Sequence, residues 1–198
     1  RSTLFPYTTL FRSLELILNI YTDGACSGNQ NEENIGGWGA ILEFGPHQKE
    51  IFGGEINTTN NRMEMTALLS AFEAITKPDQ NIRVFCDSSY LMDCFRQGWY
   101  VYWLEHDWQT KSKKPVENRD LWEQLLPFLE EHRIEFFRVK GHVDLNSKTT
   151  DFNVLFDKFC EWNGNSFSFA DFQYITKMNN KADNLANKGM DEFRNPPD

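Results

Sequence analysis

In the run LELILNIY, Leu14, Leu16, Leu18 and Ile20 fall on alternate positions, the period of a strand with one buried face. The turn pair Asp23-Gly24 is expected to close this strand. GGWGAILEF and KEIFGGEI read as two further strands joined by Gly45-Pro46, so the first sixty residues predict a three-stranded meander. The period then becomes helical from Asn61 to Thr76, with Leu68, Ala71, Phe72 and Ile75 at i, i+3, i+4 and i+7, and Pro78 stops it. IRVFC reads as a short buried strand and SSYLMDCF as a short helix. ENRDLWEQLLPFLEEH reads as a longer helix that Pro127 should kink or split, and RIEFFRVK as a fifth strand. A last helix is expected over Asn180 to Phe193. A meander followed by strands that alternate with helices predicts an α/β fold, a mixed sheet with helices packed on its faces.

Two segments stand apart from this pattern. The first thirteen residues, RSTLFPYTTLFRS, show neither period, and Thr3 to Ser13 are what a common sequencing-adapter string encodes in one frame. Residues 1–13 are therefore set aside as an assembly scar or a disordered extension, with the domain running from 14 to 198. The second segment is an insertion at about 143–178, aromatic-rich and carrying a helical stripe at Phe152, Leu155, Phe156 and Phe159. That stripe is too apolar to face water and should pack beside the last helix and the fifth strand.

Composition narrows the class. With 198 residues, 40% hydrophobic, the chain can bury about 70% of its unfolded surface in one domain. The net charge of −9 argues against a surface that attracts nucleic acid everywhere, so any such site must be local. Cys26, Cys86, Cys94 and Cys160 are widely spaced, and no stretch approaches a membrane span; a reduced, cytoplasmic, soluble monomer is expected.

Four carboxylates carry the candidate chemistry. Asp23 and Asp87 each follow a strand, while Glu64 and Asp183 are each expected to open a helix. Singly, each has an ordinary explanation as a turn residue, a capping-box partner to Asn61, an N-cap or a charge near a helix N-terminus. Together they would converge at one sheet edge, where their repulsion calls for cations, and Mg²⁺ suits an all-oxygen site.

The segments YTDGACSGN with GGWGA, TTNNRMEMTAL, VFCDSSYL, GWYVYW with KKPVENRDLW, VKGH and KADNLA resemble, in this order, bacterial-type ribonuclease HI. The resemblance runs from Leu14 to His142 and resumes at Met178. It implies a five-stranded mixed sheet flanked by helices and an endonuclease that hydrolyses the RNA strand of RNA:DNA hybrids, leaving 5′-phosphate ends. By motif position, Asp23, Glu64, Asp87 and Asp183 match the family's metal-binding carboxylates. Two Mg²⁺ ions are implied, with Mn²⁺ the other candidate; such ions lie about 3.5–4 Å apart and serve the attacking water and the departing oxygen. Asp23 would bridge the two, Glu64 and Asp87 would hold the leaving-group ion, and Asp183 the ion beside the water. His142, in the KGH motif, is implied in proton transfer or product release.

The same resemblance implies the substrate contacts. Asn60, Glu64 and the backbone around Cys26 would touch RNA 2′-hydroxyls, while Asn29, Thr59 and Asn61 would grip the nucleic acid, with a DNA phosphate at Thr59. Trp99, with Tyr100, Tyr102 and Trp103, would lie along the DNA strand; ordinary core packing is the competing reading for all but Trp99. Cys86 and Cys94 read as core thiols.

Two departures stand out. The protruding handle, usually basic after the position of Trp103, here reads Leu104-Glu105-His106-Asp107, leaving Lys111, Lys113, Lys114 and Arg119 to supply a reduced grip. The insertion before Asp183 is the other, and it bears on where His142 sits. Two alternatives share the fold: a non-catalytic hybrid-binding module, which would not need four carboxylates, and a DNA-directed nuclease, which would not explain the NNRME, KKPV and KGH contexts.

Overall fold

The computed structural model describes residues 16–27 and 34–195. Residues 1–13, Leu14 and Asn29 lie outside the described residues.

Three strands, β1 (Leu18–Ser27), β2 (Ile35–Phe44) and β3 (His47–Ile56), form the antiparallel meander. Helix α1 (Asn60–Glu73) then crosses to β4 (Asn81–Cys86), which pairs parallel with β1. Helices α2 (Ser89–Gln97), α3 (Trp99–Glu105) and α4 (Arg119–Glu131) lead to β5 (Arg133–Arg138), parallel to β4. The chain ends with α5 (Phe152–Asn163) and α6 (Phe169–Arg194). The five-stranded mixed sheet has the order β3-β2-β1-β4-β5, as expected for the fold class.

Because successive strand residues point to opposite faces, the sheet has two cores. Leu18, Ile20, Ala40, Leu42, Ile82 and Val84 face α1, α2 and α4. Tyr21, Ile41 and Phe85 face α6. That second helix comes close enough to β2 that a side chain at Gly37 or Gly39 would strike its backbone, which explains the small residues of GGWGA.

Several expected boundaries move, each for a physical reason. The first strand does not stop at Asp23-Gly24, because Asp23 pairs with Gly39 and Gly24 with Trp38, carrying the ladder on to Ser27. Leu16 precedes the strand and is 55% exposed. Helix α1 starts one residue earlier than expected, capped by Thr59, whose hydroxyl accepts from the Arg62 amide at 3.3 Å. It ends at Glu73, short of Thr76. Pro127 does not split the predicted helix: α4 continues past it, and the proline is exposed, where water can satisfy the carbonyl it frees.

The largest change is in α6. It begins at Phe169, not Asn180, behind a capping box in which Ser168 accepts from the Asp171 amide at 3.1 Å and Asp171 accepts from the Ser168 amide at 2.8 Å. The inserted stripe lies against β5 and α6. Phe159 is fully buried, 5.6 Å from the Phe172 ring and 5.3 Å from Phe167, and Phe167 meets Phe137 of β5 edge-on at 5.0 Å. The Asn163 side chain completes the attachment: it accepts from the Arg138 amide at 2.9 Å and donates to the Arg138 carbonyl at 2.8 Å, as a neighbouring strand would.

This packing makes the insertion part of the core. Phe159→Ala should cost about 3–5 kcal/mol and lower the melting temperature by roughly 6–20 °C. A thermal melt unchanged within a degree or two would show that the second core closes without α5.

Candidate active site

The parallel pairing of β1 with β4 builds the site. Their last paired residues are Thr22 and Cys86, so the next residue on each strand, Asp23 and Asp87, emerges side by side at one sheet edge. Helix α1 brings Glu64 over one face and α6 brings Asp183 over the other. Gly24 lets α1 in, because a Cβ there would strike the backbone at Met63 and Glu64. Asp183 therefore sits in the middle of α6 and does not open it.

All four carboxylates line one cleft of about 470 Å³, together with Cys26, Asn60, Asn61 and His142. Asp23 and Glu64 are each only 3% exposed. Burial, and then the charges of Asp87 and Asp183, push the Asp23 carboxyl up to about 8. Glu64 is held well above the usual carboxylate range by burial and by Asp23 and Asp87. Burial also raises Asp87, while His142 and Asn179 draw it down.

These residues fit a divalent cation. Asp23 Oδ2 is buried without a hydrogen-bond partner among the described residues, and the surrounding donors are hard carboxylate oxygens. The nearest soft donor is not available as a thiolate: burial, then Glu64, raise the Cys86 thiol well above its ordinary value. Cys86 instead donates to Glu64 Oε2 at 3.5 Å.

His142 reaches the same cleft. Its Nδ1 lies 3.7 Å from Asp183 Oδ2, and its side chain is largely exposed. The backbone turns through a positive φ of 53° here, directly after Gly141, where a Cβ would strike the Asp87 carboxylate. Asn180 holds the loop from the other side, donating to the Val143 carbonyl at 2.7 Å.

The expected substrate contacts divide into two groups. Cys26, Asn60 and Asn61 line the carboxylate cleft, and Thr59 caps α1 at its rim. Trp99 and Trp103 line a separate cavity of about 640 Å³ with Tyr102, Lys111 and Lys114. Trp99 is 37% exposed, but Trp103 is only 6% exposed and packs edge-on to Trp122 at 5.4 Å, so it is core with one edge on that cavity. Arg119 pairs with Glu123 at 2.8 Å and, like Lys111, Lys113 and Lys114, is exposed.

Two residues at the site were not singled out from the sequence for it. Cys86 read as a core thiol and is buried, yet it touches Glu64. Asn179 is fully buried beside Asp87, whose carboxyl it helps to draw down. Its signal was the i, i+4 spacing to Asp183, invisible while the helix was taken to begin at Asn180.

A fold and site of this kind define a metal-dependent nuclease of the α/β class. The sequence model of the RNase H family matches residues 16–161, and the chain belongs to that family. It is 49% identical over 131 residues to the ribonuclease H of Chlorobaculum parvum, covering 66% of this chain and 87% of that protein. It is 47% identical over 127 residues to that of Moorella thermoacetica, covering 64% of this chain and 81% of the other. Among solved structures it is similar in fold to LC9-RNase H1, described as a type 1 RNase H with the type 2 active-site motif. The TM-score is 0.64 at 24% identity, over 89% of this chain and 72% of the other. The RNase H domain of PFV matches with a TM-score of 0.59 at 20% identity, over 89% and 95% of the two chains. Asp183 lies beyond the family match, and the tertiary structure alone brings it to the other three.

The raised carboxyl at Asp23 has a consequence for stability. An unfolded Asp ionises near pH ~4, so between there and about 8 the folded chain keeps a proton that the unfolded chain has lost. This contribution is complete below the unfolded value and is lost as pH rises through the folded one. In EDTA, melting temperature should therefore fall between pH ~5 and ~9, less steeply in Asp23→Asn, and a divalent cation should recover most at the alkaline end. Parallel pH curves for the two proteins would show that Asp23 is not proton-linked to folding.

Proposed function

We propose that Asp23, Glu64, Asp87 and Asp183 hold two Mg²⁺ ions and that the RNA phosphate of an RNA:DNA hybrid is hydrolysed over them. The chain's activity is that of its family, endonucleolytic cleavage of RNA in such hybrids with a divalent metal. The assignment of residues rests on one observation: four carboxylates from β1, α1, the end of β4 and α6 converge in a single cleft, where burial and neighbouring charge raise Asp23, Glu64 and Asp87 above the usual carboxylate range. That charge is a preformed demand for cations, which when bound activate water and stabilise the departing 3′ oxygen.

The chain's own residues supply the rest. Asp23 would serve both ions, Glu64 and Asp87 would hold the one on the leaving-group side, and Asp183 the one beside the attacking water. His142, with Nδ1 near Asp183, has an exposed ring free to take or give a proton at the phosphate. Asn60, Glu64 and the backbone at Cys26, which line the same cleft, would read 2′-hydroxyls; Asn61 and Thr59 would grip the nucleic acid, with a DNA phosphate at Thr59, and Trp99 would lie along the DNA strand. Every carboxylate comes from one chain, so the site works in a monomer. No helix among the described residues is long and apolar enough to cross a membrane; the proposal takes the enzyme to act in the cytoplasm.

Asp23→Asn and Asp87→Asn keep shape but remove charge that holds Mg²⁺. Cleavage of an RNA:DNA hybrid should fall by orders of magnitude while the fold persists, and Asp23→Asn should melt no lower than the parent. Near-parental cleavage by either variant at saturating Mg²⁺ would exclude the four-carboxylate assignment. Matched DNA:DNA and RNA:RNA duplexes, left uncut, separate this reading from a DNA-directed nuclease.

The exposed Leu104 and Glu105 of α3 stand where phosphate-facing cations would add to the grip. Leu104→Lys with Glu105→Lys should tighten hybrid binding and steepen its salt slope, by about 0.7–0.9 for each new phosphate contact. An unchanged slope would place this end of α3 away from the substrate.

A further inference from the structure

The cleft over the carboxylates does not end at His142. Asp87 and His142 also line a second cavity, of about 420 Å³, whose far wall is the inserted helix α5. This cavity shares no lining residue with the one at Trp99. Beyond Asp87 and His142, its charged lining is basic, from Arg138, Lys140 and Lys158.

Arg138, the last residue of β5, is unusually well prepared. Its guanidinium carbon lies 4.5 Å from the centre of the Trp162 ring. Its backbone is clamped on both sides by Asn163. Its Nε is buried without a hydrogen-bond partner among the described residues. A charged donor buried without an acceptor is unfavourable until a ligand or water supplies one. Helix α5 thus provides the ring that supports the guanidinium, the amide that fixes its backbone, and a further cation. Lys158 Nζ lies 5.5 Å from the same ring and 2.9 Å from Glu161 Oε2. Lys140 is exposed on the near side. Three cations against two carboxylates, Asp87 at the end shared with the carboxylate cleft and Glu161 beside Lys158, leave this hollow with an excess of positive charge in a chain of net charge −9. A guanidinium supported over an indole can offer its planar fork to two oxygens of one anion, which is phosphate geometry.

We infer that this cavity is a subsite for the phosphate backbone of the strand being cut, a short way beyond the scissile linkage, with Arg138 as its main contact and Lys158 and Lys140 in support. The inference rests on hydrolysis at the carboxylates: because both cavities share Asp87 and His142, a strand that leaves the carboxylates past His142 enters this one. The inserted helix then tightens hold on the RNA strand, on a different surface from the handle that grips DNA.

The test is binding of a short RNA:DNA hybrid in EDTA, followed by fluorescence anisotropy across a salt series, so that it can be read without catalysis. Arg138→Gln with Lys158→Gln should weaken binding several-fold and flatten the salt slope by about 1–2, as expected for one or two lost phosphate contacts. In cleavage the loss should appear mainly in KM. Lys140→Glu, at an exposed position that cannot disturb the core, should weaken binding in the same direction. Single methylphosphonate linkages, walked along each strand, locate the contact: one neutral linkage in the RNA near the cut should weaken the parent but not the double variant. Unchanged affinity and slope in both variants would overturn the subsite. So would a sensitive linkage found only in the DNA strand, or inorganic phosphate binding at Arg138 with no sensitive RNA linkage. Failure of the parent to cleave hybrids would instead remove the carboxylate reading, a separate result from any of these.

Discussion

Like charges held together out of water govern this molecule. A carboxylate in solution ionises freely, but Asp23 and Glu64 are buried, and the charges of Asp87 and Asp183 beside Asp23, and of Asp23 and Asp87 beside Glu64, make these two harder to ionise. Such a cluster is unfavourable for the folded chain by itself, so the surrounding scaffold must be stable enough to impose it. The sheet does so by fixing Asp23 in the β1–β2 ladder and setting Asp87 directly after the last residue of β4, the strand paired parallel with β1. Strain of this kind is tolerable where a divalent cation relieves it, which ties the stability of the fold to its chemistry.

Helix α6 connects the site to the rest of the domain. It runs over β1, β2 and β3, carries Asn179 and Asp183 on one face, and begins in the insertion with a capped turn next to Phe172. Asn180 on the same helix holds the loop that presents His142. The insertion is therefore joined to the site by two routes, through the aromatic layer of Phe159, Phe167 and Phe172 and through the Asn163 clamp on β5. A segment that is long for a loop has become a structural wall because its stripe is apolar enough to offset the entropy of ordering it.

Electrostatics are distributed unevenly over this acidic chain. The end of α3 is exposed and carries Leu104 and Glu105, while its nearest exposed cations, Lys111, Lys113 and Lys114, lie in the loop that follows. On the other side, Arg138, Lys140 and Lys158 gather around one cavity. Binding of a polyanion thus depends on a few local contacts and not on the overall field of the protein, which is repulsive.

Local sequence determined the elements whose periods are short and strong: the meander, the stripe of α1, the buried strand IRVFC and the stripe of α5 are all legible because side-chain alternation depends only on backbone geometry. The motif-bearing carboxylates were legible for the same reason, each marked by its position at the end of a strand or on a helix. Three things were not. The continuation of β1 through Asp23-Gly24 depends on pairing with Trp38 and Gly39, a contact between residues distant in the chain. The start of α6 at Phe169 depends on packing of Phe172 against Phe159, which overrides the weak local pattern before Asn180. The meeting of Asp183 with Asp23, and of Arg138 with Trp162, depends on how α6 and α5 dock on the sheet. Hydrophobic period records which face of an element is buried; it carries no information about what it is buried against, and only the tertiary structure decides that.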